Sequence, residues 1–106
     1  LDLSERERIV QSMGEHKQLI LRNHGLLTTG RSVAEAFVRM VQLNRACEIQ
    51  LATMATGQKI VVPPDDVCEH AARQGESALE RSTEYLDRIW TALLRLIDRD
   101  GADYRT

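Results

Sequence analysis

The sequence predicts an α/β fold in the order helix, β-hairpin, long helix, short strand, long C-terminal helix. Three observations carry it. Ser-x-x-Glu patterns open two segments of helical apolar spacing, two short β-compatible runs flank an Asn-His-Gly turn, and a pair of prolines separates the second helical segment from the third.

In the first segment, "LDLSERERIVQSMG", Ser4 with Glu7 reads as a capping box, whose hydroxyl and carboxylate satisfy the amides left open at a helix start. Gly14 is the stop, so the spacing predicts a helix over 5–13. Residues 17–22 carry a β-compatible apolar run. Asn23 and Gly25 both tolerate positive φ, so the second run, "GLLTTG", is expected to fold back as a hairpin. Gly30 ends that strand.

Ser32 with Glu35 repeats the capping box at the head of a helix that Gly57 closes. Val33, Ala36, Phe37, Met40, Val41, Cys47, Leu51 and Met54 lay one apolar stripe along it, expected to face the core. Asn44 and Glu48 fall within or beside that stripe, and a polar pair there must find partners. "KIVVPP" reads as a short strand that Pro63 and Pro64 cut off. From Pro64 or Asp65 to about Asp100 the chain reads helical, with Gly75 a soft spot and Gly101 just past the end. Val67, Ala71, Ala78, Tyr85, Ile89, Leu93 and Leu96 form its stripe, which Leu86, Trp90, Leu94 and Ile97 widen. A lone hairpin is marginal in water and leaves open edges, so the strands are expected to complete a larger sheet.

Length and composition bound the function. A chain of 106 residues is one domain's worth or less, with a modest core. The formal charge of −2 is nearly balanced, basic residues are interleaved with acids, and aromatics are only 4%. Nothing there tracks a phosphate backbone or stacks on bases, so nucleic acid is not expected as a partner. No apolar run approaches the roughly 20 residues of a membrane span and no signal segment opens the chain, so a cytoplasmic protein without a membrane partner is expected. The chain starts at Leu1 directly in a helix-start pattern, as if cut from something longer. Cys47 and Cys68 have no Cys-x-x-Cys spacing and read as core cysteines.

Candidate chemistry is sparse. His16 and His24 sit at opposite ends of the first strand, about 26 Å apart at roughly 3.3 Å per residue, so they cannot share an ion within one chain. His70 stands beside Glu69 early in the last helix with no partner at helical spacing. Read locally, His24 is a turn residue. Thr28, Thr29 and Ser32 near Gly30 offer an anion site at a helix start, but capping explains them more simply. Glu84 and Arg88 read as a solvated i, i+4 pair. No Gly-x-Ser-x-Gly, P-loop or dinucleotide fingerprint is present.

Taken together, "LILRNHGLLTTGRSVAEAFVRMVQLNRACEIQLATMATG", residues 19–57, resembles the C-terminal half of the class II aldolase/adducin family, nearest to its adducin-like branch. The residues that carry the likeness are the Asn-His-Gly turn after a strand, the Gly-x-Ser helix start and the "ACEIQ" segment. The tail from Trp90 to Arg105 also resembles the family's ending. The resemblance implies that residues 1–106 are a C-terminal fragment of a three-layer α/β/α domain whose N-terminal half lies upstream. It implies that His24 is a ligand of a divalent metal, usually zinc, whose other ligands, a His-x-His pair, come from earlier in the chain. In the family's enzymes that ion polarises a carbonyl and stabilises an enediolate. It also implies a sugar phosphate or related hydroxy-carbonyl substrate and a homo-oligomer, tetrameric in the family. Tyr104 matches a tyrosine that some members place near a neighbouring subunit's site. Lacking a His-x-His, the 106 residues alone are expected to be inactive and to bind metal weakly or not at all. The rival reading is an adducin-like head domain that keeps the fold as a non-catalytic assembly module.

Overall fold

The computed structural model describes residues 3–81, 83–99 and 101. The chain divides into two compact units, Leu1–Gln58 and Lys59–Thr106.

The first unit holds α1 (Leu3–Met13), β1 (Gln18–Leu21), β2 (Gly25–Thr28) and α2 (Val33–Ala55). β1 and β2 are antiparallel in the register Gln18 with Thr28 to Leu21 with Gly25. The ladder is extended by the Thr29 amide donating to the Lys17 carbonyl at 2.9 Å. The mixed α/β fold with a hairpin between helices agrees with the sequence reading. One boundary differs: α1 begins at Leu3, so Ser4 lies inside its first turn and is not the residue before it.

The hairpin does not stand alone, because α2 packs against both strands and α1 against β1. At the β2–α2 junction the Thr28 hydroxyl donates to the Ala36 carbonyl at 2.8 Å, and the Arg39 guanidinium donates to the Thr29 carbonyl at 3.0 Å. These bonds tie the hairpin base to the first turns of α2, which answers the marginal stability of a two-stranded sheet.

Burial on α2 reverses the expectation. Its buried residues are Glu35, Val38 and Arg39. At roughly 100° per residue these occupy the side of the helix opposite the predicted stripe. Within the stripe Val33, Phe37, Val41, Leu51 and Met54 are exposed, Leu51 at 67%. The reason is polar. The start of α2 is held by hydrogen bonds to the hairpin, and those fix its rotation about its axis before apolar area can. Asn44 and Glu48 do find partners: the Asn44 amide donates to Glu48 at 3.0 Å, and Arg45 donates to the same carboxylate at 2.9 Å, all exposed.

"KIVVPP" forms no strand among the described residues. Val61 and Val62 are 86% and 77% exposed. An apolar run without a neighbouring edge has nothing to complete its hydrogen bonds, and two prolines remove donors.

The second unit contains α3 (Asp65–Arg81) and α4 (Thr83–Arg99), covering the predicted helical span except Ser82 and Asp100, which lie outside the described residues. Leu79 on α3 and Leu86 on α4 are its buried apolar residues, while Ile89, Trp90, Leu93 and Leu94 are half-buried. Val67, Ala71, Ala78, Tyr85, Leu96 and Ile97 are exposed, so most of the predicted stripe is not covered. Cys68 is exposed and Cys47 half-buried, which corrects the expectation of core cysteines. Arg88 pairs with Glu84 on a solvated face, as the spacing predicts.

Candidate functional site

His24 sits at the tip of the β1–β2 hairpin. The turn is closed by the His24 amide donating to the Leu21 carbonyl at 3.2 Å. Asn23 takes φ 66° at the third position of that turn, and Gly25 takes φ 114° directly after His24. A positive φ at the third turn position is the type II requirement that Gly or Asn meets most cheaply. Asn-x-Gly therefore presents the histidine; the backbone on both sides of it needs residues that tolerate the left-handed region. Replacing Asn23 with Val is expected to cost about 1–2 kcal/mol in urea unfolding, whereas Asn23→Gly is expected to stay within about 0.5 kcal/mol.

The imidazole is 68% exposed, and its Nε2 lies 3.7 Å from Oε1 of Glu5 on α1. Both line a cleft of about 900 Å³ between α1 and β1. Its apolar lining includes the half-buried Ile9, Leu19 and Leu21, and the exposed Arg6, Arg8 and Arg22 line it as well. A concave apolar surface with a few charged groups at its edge has the composition of a small-ligand site.

The other expected histidines do not join it. His16 is exposed ahead of β1 with its amide on the Met13 carbonyl, and His70 is exposed on α3. Among the described residues no group of three or more His, Cys, Asp or Glu side chains is placed to hold a metal ion. A catalytic zinc takes about three protein ligands and keeps one position open. His24 and Glu5 together fall short of that, so these residues do not by themselves fit a zinc centre. Tyr104 lies outside the described residues.

The helix start near Gly30 is not an anion site. Ser32 is the N-cap of α2, its hydroxyl accepting from the Glu35 amide at 3.2 Å. The Glu35 carboxylate does not close the box onto Ser32. Its Oε2 accepts from the Arg31 amide and the Arg31 Nε, each at 3.0 Å, and its Oε1 accepts from Arg39. A carboxylate of the chain itself thus fills the position an anion would take. Glu35 and Arg39 are 2% and 1% exposed, a buried pair that sequence reasoning assigned only to capping and to no role. The available signal was the i, i+4 spacing of Glu35 with Arg39, together with Arg31 four residues before.

Burial by itself pushes the Glu35 carboxyl up, but hydrogen bonds from Arg31 and Arg39 outweigh it and hold the group below the ordinary glutamate value of 4.5. A carboxyl depressed in the folded state stabilises the fold above its unfolded value, and that contribution is lost as pH falls through the folded value. Stability is therefore expected to fall as pH drops below about 4.5, and the gap between wild type and Glu35→Gln in urea unfolding is expected to narrow over that range.

The Class II Aldolase and Adducin N-terminal domain family matches residues 2–51. A Pseudomonas aeruginosa protein provisionally named as a class 2 aldolase is 34% identical over 106 residues, covering 99% of this chain and 41% of that protein. Alpha-adducin of Rattus norvegicus is 34% identical over 116 residues, covering all of this chain and 16% of its own length. The crystal structure of an aldolase II superfamily protein from Pseudomonas syringae superposes over the whole chain with a TM-score of 0.75 and 41% identity. The chain spans 41% of the length of that bacterial protein. The match across the hairpin and α2, together with the superposition, places this chain in the class II aldolase and adducin family.

Proposed function

We propose that these residues belong to a metal-dependent aldolase or epimerase of the cytoplasm that acts on a sugar phosphate or related hydroxy-carbonyl compound, with His24 one of its metal ligands. The observation that carries the reading is the presentation of His24. A turn built on Asn23 and Gly25 holds an exposed imidazole at the mouth of a ligand-sized cleft. The family resemblance assigns the same histidine to zinc. The remaining ligands are proposed to come from sequence outside these residues, in a protein of the relatives' length working as a homo-oligomer. The 106 residues alone are proposed to be inactive.

The test is elemental analysis of the longer protein that carries this segment, purified without chelator. About one divalent ion per chain is expected, falling at least about tenfold in His24→Ala, with cleavage or epimerisation of a sugar phosphate lost in parallel. Stoichiometric metal that His24→Ala leaves in place overturns the assignment.

A second reading, an adducin-like assembly module without catalysis, draws on the exposed apolar face of α2, where Leu51 of the "ACEIQL" segment and Met54 one turn on are 67% and 56% exposed. A longer protein that holds no metal and turns over no sugar phosphate, yet assembles, supports it.

A further inference from the structure

His24 projects from a backbone fixed on both sides, by Asn23 at φ 66° and Gly25 at φ 114°. What that turn leaves soft is the side chain, whose torsions carry an imidazole 68% exposed and so little restrained by packing. A ligand that binds a ring of this kind must first arrest its motion. Glu5 meets the ring there, with Oε1 3.7 Å from Nε2 and a side chain 39% exposed, more sheltered than the imidazole it faces. The chain path brings the two together. From Glu5 to Met13 α1 runs about 12 Å at roughly 1.5 Å per residue. Gly14 at φ 50° and the His16 amide on the Met13 carbonyl reverse the chain. β1 then returns about 10 Å from Gln18 to Leu21. Because α1 packs against β1, its first turn comes level with the hairpin tip. Glu5 is the acid of that turn, where the open amides of a helix start favour negative charge.

We propose that Glu5 is a positioning residue for His24, its carboxylate drawing the imidazole toward the start of α1 and confining a ring that the turn alone leaves free to rotate. This deepens the reading above and rests on it in one respect, that the confined ring is the metal ligand; a carboxylate that orients a ligating histidine raises metal affinity without touching the ion. Charge rather than bulk sets the effect. Glutamine at position 5 keeps the length and loses the charge, whereas aspartate keeps the charge and is one methylene shorter.

The test uses the longer protein that carries this segment, labelled with ¹³C in its histidine rings and freed of metal with a chelator, the His24 signals being those lost in His24→Ala. Ring ¹³C relaxation is expected to show an ordered imidazole in wild type, a freely reorienting one in Glu5→Gln and an intermediate one in Glu5→Asp. Glu7→Gln, which removes an exposed acid two residues along α1, is expected to leave the ring ordered. Zinc affinity, read by competition with a chromogenic chelator, is expected to fall at least about tenfold in Glu5→Gln and by less in Glu5→Asp. A ring equally ordered with and without the Glu5 carboxylate, or one loosened as much by Glu7→Gln, overturns the role. So does unchanged zinc affinity in Glu5→Gln when the zinc itself depends on His24. The two readings fail separately: zinc that His24→Ala leaves in place removes the metal assignment, while the ring measurement on metal-free protein still decides the role of Glu5.

Discussion

Removing either member of the buried pair on α2 is expected to cost about 3–5 kcal/mol. In Glu35→Ala the Arg39 guanidinium, 1% exposed, keeps its place but loses the carboxylate that neutralises it. The Arg31 amide loses its acceptor at the same time. In Arg39→Met the Glu35 carboxylate stays buried beside Arg31 alone of its two arginines, and the Thr29 carbonyl at the hairpin base loses its guanidinium donor. Desolvation drives both losses, since a charge buried without its counterpart costs far more than the pair contributes when intact. The double variant Glu35→Leu with Arg39→Met removes both charges together and is expected to cost markedly less than the sum of the singles. Urea unfolding of the four proteins gives the coupling as a double-mutant cycle. Single variants that cost under about 1 kcal/mol, or strictly additive ones, contradict the picture of a coupled buried pair.

The second large effect is expected at Gly30. A Cβ built there would lie 2.6 Å from the Ala36 amide nitrogen, 3.0 Å from the Glu35 Cβ and 3.1 Å from the Glu35 carbonyl carbon. Two of those atoms are backbone of the first turn of α2, which cannot swing aside as a flexible side chain can. Gly30→Ala must therefore push the end of the hairpin away from the helix, stretching the Thr28–Ala36 and Arg39–Thr29 hydrogen bonds that join them. A cost of about 1–3 kcal/mol is expected, comparable to overpacking a core. Gly57, where nothing lies within 4 Å of the same construction, is the contrast for crowding, although its φ of 67° makes Gly57→Ala a test of backbone strain instead. A thermal melt of Gly30→Ala that matches wild type contradicts the close approach.

Both effects meet at the same junction, which bears on His24. The hairpin that carries the histidine is anchored at its base by α2, and its tip is shaped by Asn23 and Gly25. Loosening the base is expected to lower stability first. Altering the tip moves the imidazole relative to Glu5 and the cleft. Stability and ligand binding are thus expected to respond to different residues of one short supersecondary unit.

The local elements were legible in the sequence because their causes are local. Asn23 and Gly25 permit positive φ, so the hairpin and its turn follow from the residues that make it. Ser32 is chosen by the open amides of α2, and Gly14 takes φ 50° at the end of α1. The importance of His24 came from family likeness, since spacing within the chain offers it no histidine partner.

Tertiary structure decided which face each helix buries. Periodicity on α2 identified a stripe from Val33 to Met54, yet the helix is turned by polar anchors, Arg39 on the Thr29 carbonyl and Thr28 on the Ala36 carbonyl, with Glu35 buried between two arginines. Apolar burial is non-directional and yields to a few directional bonds when the opposing surface is only a two-stranded hairpin. "KIVVPP" shows the same limit, since β-propensity becomes a strand only where an edge is present to pair with. By itself the sequence determined which segments become helices and turns, because those depend on near neighbours; the burial of the Glu35–Arg39 pair against the hairpin base and the cleft beside His24 depend on separate elements brought together, and only the folded chain shows them.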